Sequence, residues 1–168
     1  FLQKNGGTHN QLLLSKDYRV IGIVRVGRIH GIRVVPEIDL PSHTASWSGS
    51  HPEIVVRCRA RAAPDADVHK AADKDTLDLS KEETFDVVKR VLSSLSTMFP
   101  ARHLHLGGDE VDLKCLSGNK GVMDRARATH GSSVTAAQLL QFFWTRVIDM
   151  VLELGKIPIV WQGAFDNR

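Results

Sequence analysis

Two amphipathic helical stripes, each followed at once by a short apolar run, constrain this chain more than any other feature of its sequence. The first stripe is Phe85, Val88, Leu92, Leu95 and Phe99, closed by Pro100 and followed by Arg102 to Leu106. The second is Leu139, Phe143, Val147, Met150 and Leu154. Thr135 can cap it, and Gly155 closes it before Lys156-Ile157-Pro158-Ile159-Val160-Trp161. Upstream, the β-branched run Ile32 to Ile38 follows Gly31 and ends in Asp39-Leu40-Pro41-Ser42. The segment before it, Tyr18 to His30, can form a helix with Val20, Ile23, Val24 and Gly27 on one side and Gly31 as its stop. Helices alternating with short strands predict βαβ units and a parallel sheet, with strands near 32–38, 102–107 and 157–162.

Two further local expectations follow. Ser80-Lys81-Glu82-Glu83 has the spacing of a capping box at the start of the first striped helix. Residues 47–78 are polar, contain Pro52 and Pro64 and show no period, so they read as a long loop. A structureless connection of that length in a compact domain is usually functional or mobile.

Composition limits the class of molecule. With 42% hydrophobic and 24% charged residues the chain is an ordinary globular one, and no apolar run approaches the roughly 20 residues that cross a bilayer. No amino-terminal segment has the order of a signal peptide, and the first residue is Phe1 rather than Met, which leaves room for a start upstream. The net charge is +3, and the one basic cluster, Arg57, Arg59 and Arg61, has no aromatic residues interleaved. It reads as a solvated loop, and nucleic acid is not an expected partner. Cys58 and Cys115 are too few for a zinc cluster and too far apart for a redox pair. Their number alone fits two buried thiols as well as one disulfide.

In parallel α/β sheets the active site lies beyond the carboxyl ends of the strands. The residues there are Glu37, Asp39 and His43, then Asp109 and Glu110, then Trp161, Gln162 and Asp166. Gly107 and Gly108 clear side chains from the second strand end, so that a ligand or a neighbouring backbone can approach. Adjacent carboxylates repel, so poor solvation would raise the pKa of at least one, as a general acid requires. The plain alternative is a Gly-Gly turn followed by two exposed acids. His103 and His105 share a strand face and with the acids could form a metal-hydrolase site; packed or hydrogen-bonded strand histidines are favoured instead, because no other strand end is His-rich. Trp47 and Trp161 can be core, and an aromatic ring at a strand end is also a platform for the apolar face of a sugar.

Three ordered blocks carry a resemblance. They are Gly31-Ile32-Arg33-Val34-Val35-Pro36-Glu37-Ile38-Asp39-Leu40-Pro41-Ser42-His43-Thr44, then His103-Leu104-His105-Leu106-Gly107-Gly108-Asp109-Glu110-Val111, then Val160-Trp161-Gln162 with Phe165-Asp166-Asn167. Together they resemble the β-N-acetylhexosaminidases of glycoside hydrolase family 20. The resemblance implies an α/β fold, a partial TIM (β/α)8 barrel containing about strands 3 to 5; the 168 residues fall short of the roughly 250 of a complete barrel. It implies an exo-glycosidase acting on terminal β-linked N-acetylglucosamine or N-acetylgalactosamine, in which the substrate's own 2-acetamido oxygen attacks the anomeric carbon. Glu110 then resembles the acid/base, and Asp109 the residue that orients the acetamido group. His43 resembles a supporting histidine near the acid/base, Asp39 stands with it as a supporting residue, and Trp161 resembles one wall of the acetamido pocket.

The resemblance further implies a Cys58–Cys115 disulfide between loops, and with it a secreted or lysosomal setting. Its partners would be glycoconjugate or chitooligosaccharide substrates and, for the complete protein, a second like or unlike subunit. No cofactor and no metal are implied. Three positions depart from the family pattern: Ser42 for the usual Gly, which strains the turn if positive φ is needed there, Leu116 for Trp and Gly163 for Glu. The family's other barrel strands supply an arginine, a tyrosine, another tryptophan and further acids that have no place in this chain. A truncated or degenerate product without activity of its own is therefore the alternative, ahead of a metal-dependent hydrolase using His103 and His105.

Overall fold

A computed structural model of the chain describes residues 9–58 and 75–166, with side chains placed over 19–58 and 75–164. Arg59, Arg61 and Asn167 lie outside the described residues, as do the side chains of Phe165 and Asp166. In chain order the elements are α1 (His9–Ile29), β1 (Val55–Val56), β2 (Thr76–Leu77), α2 (Glu82–Met98), β3 (His103–His105), α3 (Leu113–Gly118), α4 (Lys120–His130), α5 (Ala136–Glu153), β4 (Ile157–Ile159) and α6 (Gly163–Asp166).

Two glycines stop helices for the same reason. Gly31 has φ +71°, the Ile32 N–H bonds the Gly27 carbonyl at 2.8 Å and the Gly31 N–H bonds Arg28 at 3.2 Å, the paired closure of a left-handed C-terminal turn. Gly155, φ +69°, does the same with Lys156 to Val151 and Gly155 to Leu152. At the other end of α5 the Thr135 side chain accepts from the Gln138 N–H while the Gln138 side chain accepts from the Thr135 N–H, a complete capping box.

The box expected at Ser80 does not form. Helix α2 begins at Glu82 with Lys81 as its cap, and the Ser80 hydroxyl donates to Asp78 Oδ1 at 2.6 Å. Asp78 also accepts from Arg125 of α4 and from the Thr84 hydroxyl through its carbonyl, so it holds Ser80 one residue too early to cap. On α1 the expected stripe holds at the buried Gly27 but not at Ile23, which is 59% exposed.

β3 and β4 pair in parallel, His103 opposite Ile157 and His105 opposite Ile159. Pro158 is tolerated because the bonds to β3 run through Ile157, Ile159 and Trp161, which leaves its missing N–H on the open edge. The expected strand 32–38 narrows to one parallel bridge, Glu37 to His105, on the other side of β3. There His105 donates to Pro36, Ile38 to His105 and Leu40 to Leu106, each at 3.0 Å. Its first half instead leans back on α1: a Cβ at Gly27 would meet Val34 Cγ2 at 2.8 Å and the Ile32 carbonyl at 3.0 Å. Three parallel segments thus lie in the order 36–40, β3, β4, with Leu104 and Leu106 of the middle one buried.

The helices that cover this sheet meet at Phe85 and Phe143, rings 5.7 Å apart, among the buried Val88, Leu92, Leu139 and Val147. Each such side chain contributes roughly 1.5–3 kcal/mol by leaving water. Arg146 lies 3.6 Å over the Phe85 ring and forms two 2.7 Å bonds to Glu82, tying α5 to α2. The expected loop 47–78 is not structureless where it is described: short 3-10 turns cover Ala45–Gly49 and Pro52–Ile54, and β1 pairs antiparallel with β2. No helix among the described residues is long and apolar enough to cross a membrane.

Candidate active site

Three chain segments bring the candidate residues to the carboxyl end of this sheet. Gly107 and Gly108, φ +70° and +106°, turn the chain out of β3. Neither tolerates a side chain: a Cβ at Gly107 would sit 2.1 Å from Asp39 Oδ1, and one at Gly108 would sit 3.0 Å from the Trp144 ring. The bare backbone therefore lets Asp39 lie directly against the Asp109-Glu110 turn. Gly163 closes the third side, since a Cβ there would stand 3.2 Å from the Gly108 carbonyl.

His43 Nε2 faces both acids, 3.9 Å from Asp109 Oδ2 and 3.7 Å from Glu110 Oε2. These contacts are too long for hydrogen bonds. His43 and Glu110 are also the two non-glycine residues with positive φ among the described residues, 58° and 53°. Strained backbone of this kind costs about 1–3 kcal/mol per residue and concentrates at functional sites. The turn strain considered for Ser42 thus falls one position later, at His43, while Ser42 itself is buried.

The loop that presents His43 is fixed by one carbonyl. Pro41 O accepts from the Leu77 N–H at 2.9 Å, the Thr44 hydroxyl at 3.1 Å and the Thr76 hydroxyl at 3.2 Å. Cys58 and Cys115 are joined by a disulfide. Asp112 accepts from the N–H groups of Lys114 and Cys115, capping α3 and setting Cys115 just beyond the acid pair.

Burial raises the pKa of Asp39 above the usual carboxylate value, reinforced by Asp109 and Glu37 and opposed by His43 and His105. The acid pair itself is open, with side chains 44% exposed at Asp109 and 66% at Glu110. The carboxylate pushed up by its surroundings is therefore the one behind the pair. Asp39 Oδ1, Asp109 Oδ1 and His43 Nε2 are buried and make no hydrogen bond among the described residues. Asp109 is thus two-sided, one oxygen turned inward beside Asp39 and the other toward His43. A carboxylate turned partly inward next to one turned outward is an arrangement that can stabilise positive charge and exchange a proton at one ligand.

Trp161 follows β4, its N–H bonded to the Gly107 carbonyl at 2.8 Å and the residue 47% exposed. The indole N–H donates to Glu37 Oε1 at 3.0 Å, and the ring meets His105 edge to face at 4.7 Å. His105 Nδ1 accepts the Gly107 N–H at 3.2 Å, which places the proton of the neutral ring on Nε2. Glu37 Oε1 stands 3.4 Å from the same Nδ1. Among the described residues no three His, Cys, Asp or Glu side chains are grouped to hold a metal ion. Two contributors escaped sequence reasoning. Trp144 lies off the recognised α5 stripe yet floors Gly108, and Glu37 stood at a strand end without a role.

Paired acids beyond the strand ends of a parallel α/β sheet, with a part-exposed tryptophan at the next strand end, are an arrangement that glycoside hydrolases use. The profile of Glycosyl hydrolase family 20, catalytic domain, matches residues 3–168, and the chain belongs to that family. It is 30% identical over 146 residues to Beta-hexosaminidase subunit beta of Homo sapiens, covering 87% of this chain and 25% of that protein. Its fold is similar to that of a Flavobacterium johnsoniae chitobiase, with TM-score 0.71 and 26% identity over 88% of this chain and 22% of the other. It is also similar to a Streptomyces plicatus beta-hexosaminidase mutant in complex with product (GlcNAc), with TM-score 0.58 and 28% identity over 88% of this chain and 26% of the other. The chain spans about a quarter of the length of the curated relatives it matches. The family places these strands in a TIM-barrel catalytic domain.

Proposed function

We propose that this chain is the part of a β-N-acetylhexosaminidase that carries the acid pair, contributing about strands 3 to 5 of its barrel. The substrate is the terminal β-linked N-acetylglucosamine or N-acetylgalactosamine of a glycoconjugate or chitooligosaccharide. The observation that carries this reading is His43 Nε2 standing 3.9 and 3.7 Å from the carboxylates of Asp109 and Glu110 in a family 20 chain. The GlcNAc product held by the Streptomyces plicatus relative supports the sugar class.

In this mechanism Glu110, the more exposed acid, protonates the departing glycosidic oxygen while the substrate's acetamido oxygen attacks the anomeric carbon. Glu110 then removes a proton from the water that opens the resulting ring. Asp109 accepts the acetamido N–H and balances the positive charge that develops there. His43 bridges the two acids electrostatically. Asp39, protonated more readily than an ordinary aspartate, reduces the negative charge packed behind Asp109. Trp161 forms one wall around the acetamido methyl. The disulfide supports a secretory or lysosomal setting, and a dimer of the complete protein is part of the same proposal.

Glu110→Gln in the full-length protein tests the assignment. Hydrolysis of an aryl N-acetylglucosaminide falls by about 10²–10⁴. The wild type leaves the matching aryl glucoside, which lacks the acetamido nucleophile, uncleaved. Near wild-type turnover by Glu110→Gln refutes the role of Glu110, and rapid cleavage of the glucoside refutes substrate assistance.

A further inference from the structure

We propose that Glu37 is a positioning residue that fixes the indole plane of Trp161, with His105 as its backing; the proposal rests on the reading of Trp161 as an acetamido wall. A tryptophan that is 47% exposed has room to rotate about its side-chain bonds unless something holds its polar edge. Here two groups hold it. The Glu37 carboxylate accepts the indole N–H at 3.0 Å, and the His105 ring abuts the indole edge to face at 4.7 Å. Both are themselves anchored: Glu37 is the bridge residue opposite His105, and His105 Nδ1 is occupied by the Gly107 N–H. Two adjacent sheet segments thereby fix a side chain that belongs to the third. Bonds between a charged acceptor and a neutral donor are the stronger kind, so the clamp restricts rotation even at a half-exposed position.

The consequence falls on the chemical step. A wall that can swing lets the acetamido group leave its attack geometry, so alignment is lost more than affinity. In the full-length protein, Glu37→Leu lowers kcat/KM for an aryl N-acetylglucosaminide by about ten- to a hundredfold, mostly in kcat. Glu37→Gln, which keeps a carbonyl oxygen for the indole N–H, recovers most of that loss. In a Trp161→Phe background, which has no N–H to accept, Glu37→Leu costs little more. A glutamine variant as impaired as the leucine variant, or fully additive losses with Trp161→Phe, overturns the proposal. A second readout is independent of turnover. The indole N–H resonance that Trp161→Phe removes moves upfield in Glu37→Leu and stays in place in Glu37→Gln. An unmoved resonance in Glu37→Leu refutes the clamp. If the wild type fails to cleave the substrate, the functional reading falls, while the resonance still decides whether Glu37 holds the indole.

Discussion

Gly107→Ala is the sharpest test of how the site is built, because one methyl group meets both a backbone rule and a neighbouring strand. At φ +70° an alanine pays the left-handed penalty of about 1–2 kcal/mol. Its Cβ would also stand 2.1 Å from Asp39 Oδ1 and 2.8 Å from Asp39 Cα, where carbon contacts prefer about 3.5–4.0 Å. The carboxylate can swing away, but the Cα cannot move freely. Ile38 to His105 and Leu40 to Leu106, each 3.0 Å, pin the backbone on both sides of Asp39. Relieving the overlap means parting these segments, at the roughly 1–3 kcal/mol typical of overpacking. The total is about 2–5 kcal/mol. Gly155→Ala supplies the control, since φ is +69° there and nothing lies within 4 Å, so only the conformational penalty applies. Urea unfolding of the two variants in the full-length protein, with the slope checked for constancy, separates the contributions. Equal losses for Gly107→Ala and Gly155→Ala would show that the close approach of Asp39 is not a constraint and that the second glycine requirement was misread.

Asp39→Asn tests the electrostatics behind the acid pair. Because burial raises the folded pKa of Asp39 above 3.8, its contribution to stability is complete below that value and fades as pH rises through the folded value. The Tm of Asp39→Asn therefore gains on the wild type as pH rises above 3.8, and a constant gap excludes the raised value. Arg146→Met loses the paired bonds to Glu82 and the contact over Phe85, about 1 kcal/mol given that the Glu82 side chain is 75% exposed. Arg146 lowers the Glu82 pKa, so the ion-pair part of this loss is present above pH 4.5 and disappears as pH falls through the folded value; denaturant melts at both ends of that range check it. Replacing Cys58 and Cys115 by serine opens a link between residues 57 apart in sequence, worth about 4 kcal/mol by loop entropy, and a double variant as stable as the wild type to heat would remove the disulfide from the stabilising contacts.

Features governed by near neighbours were legible in the sequence, and features governed by distant ones were not. Gly31, Gly155 and Thr135 act within a turn of their own helices, and each closes or caps as its spacing predicts. Ser80 has the same local signature as Thr135, but its hydroxyl donates to Asp78 and accepts directly from Arg125, 45 residues away, instead of capping the helix. The run 32–38 is rich in β-branched residues, yet only its second half reaches the sheet, because Gly27 gives its first half a closer surface. β1 and β2 are two residues each, too short to show a period, and exist through pairing across a long connection. At the site, the strand ends brought Asp109, Glu110, His43, Asp39 and Trp161 into view together with Glu37, Gln162 and Asp166, and the family resemblance selected the first five as candidates. What could not be read was which carboxylate is held back from ionising. Adjacency in sequence suggested one of the pair, whereas burial selects Asp39, whose charged neighbours come from its own segment and from the end of β3.

The disulfide and the histidine loop are parts of one closed circuit, which explains how a pair of exposed acids can keep a fixed geometry. From Glu110 the chain enters α3, where the Asp112 cap sets Cys115. Cys115 is bonded to Cys58, whose N–H donates to Asp75 Oδ1 at 2.8 Å. The Asp75 carbonyl accepts the Thr44 N–H at 3.3 Å, and Thr44 is the neighbour of His43, which faces Glu110 again at 3.7 Å. Every link except the last is a covalent or hydrogen bond, and the Pro41 carbonyl braces the same loop by accepting from Thr44, Thr76 and Leu77. In an open chain the positive φ at His43 and Glu110 would relax, since each costs about 1–3 kcal/mol and neither residue is a glycine. Held at both ends by the circuit, the two strained residues keep their side chains turned toward each other.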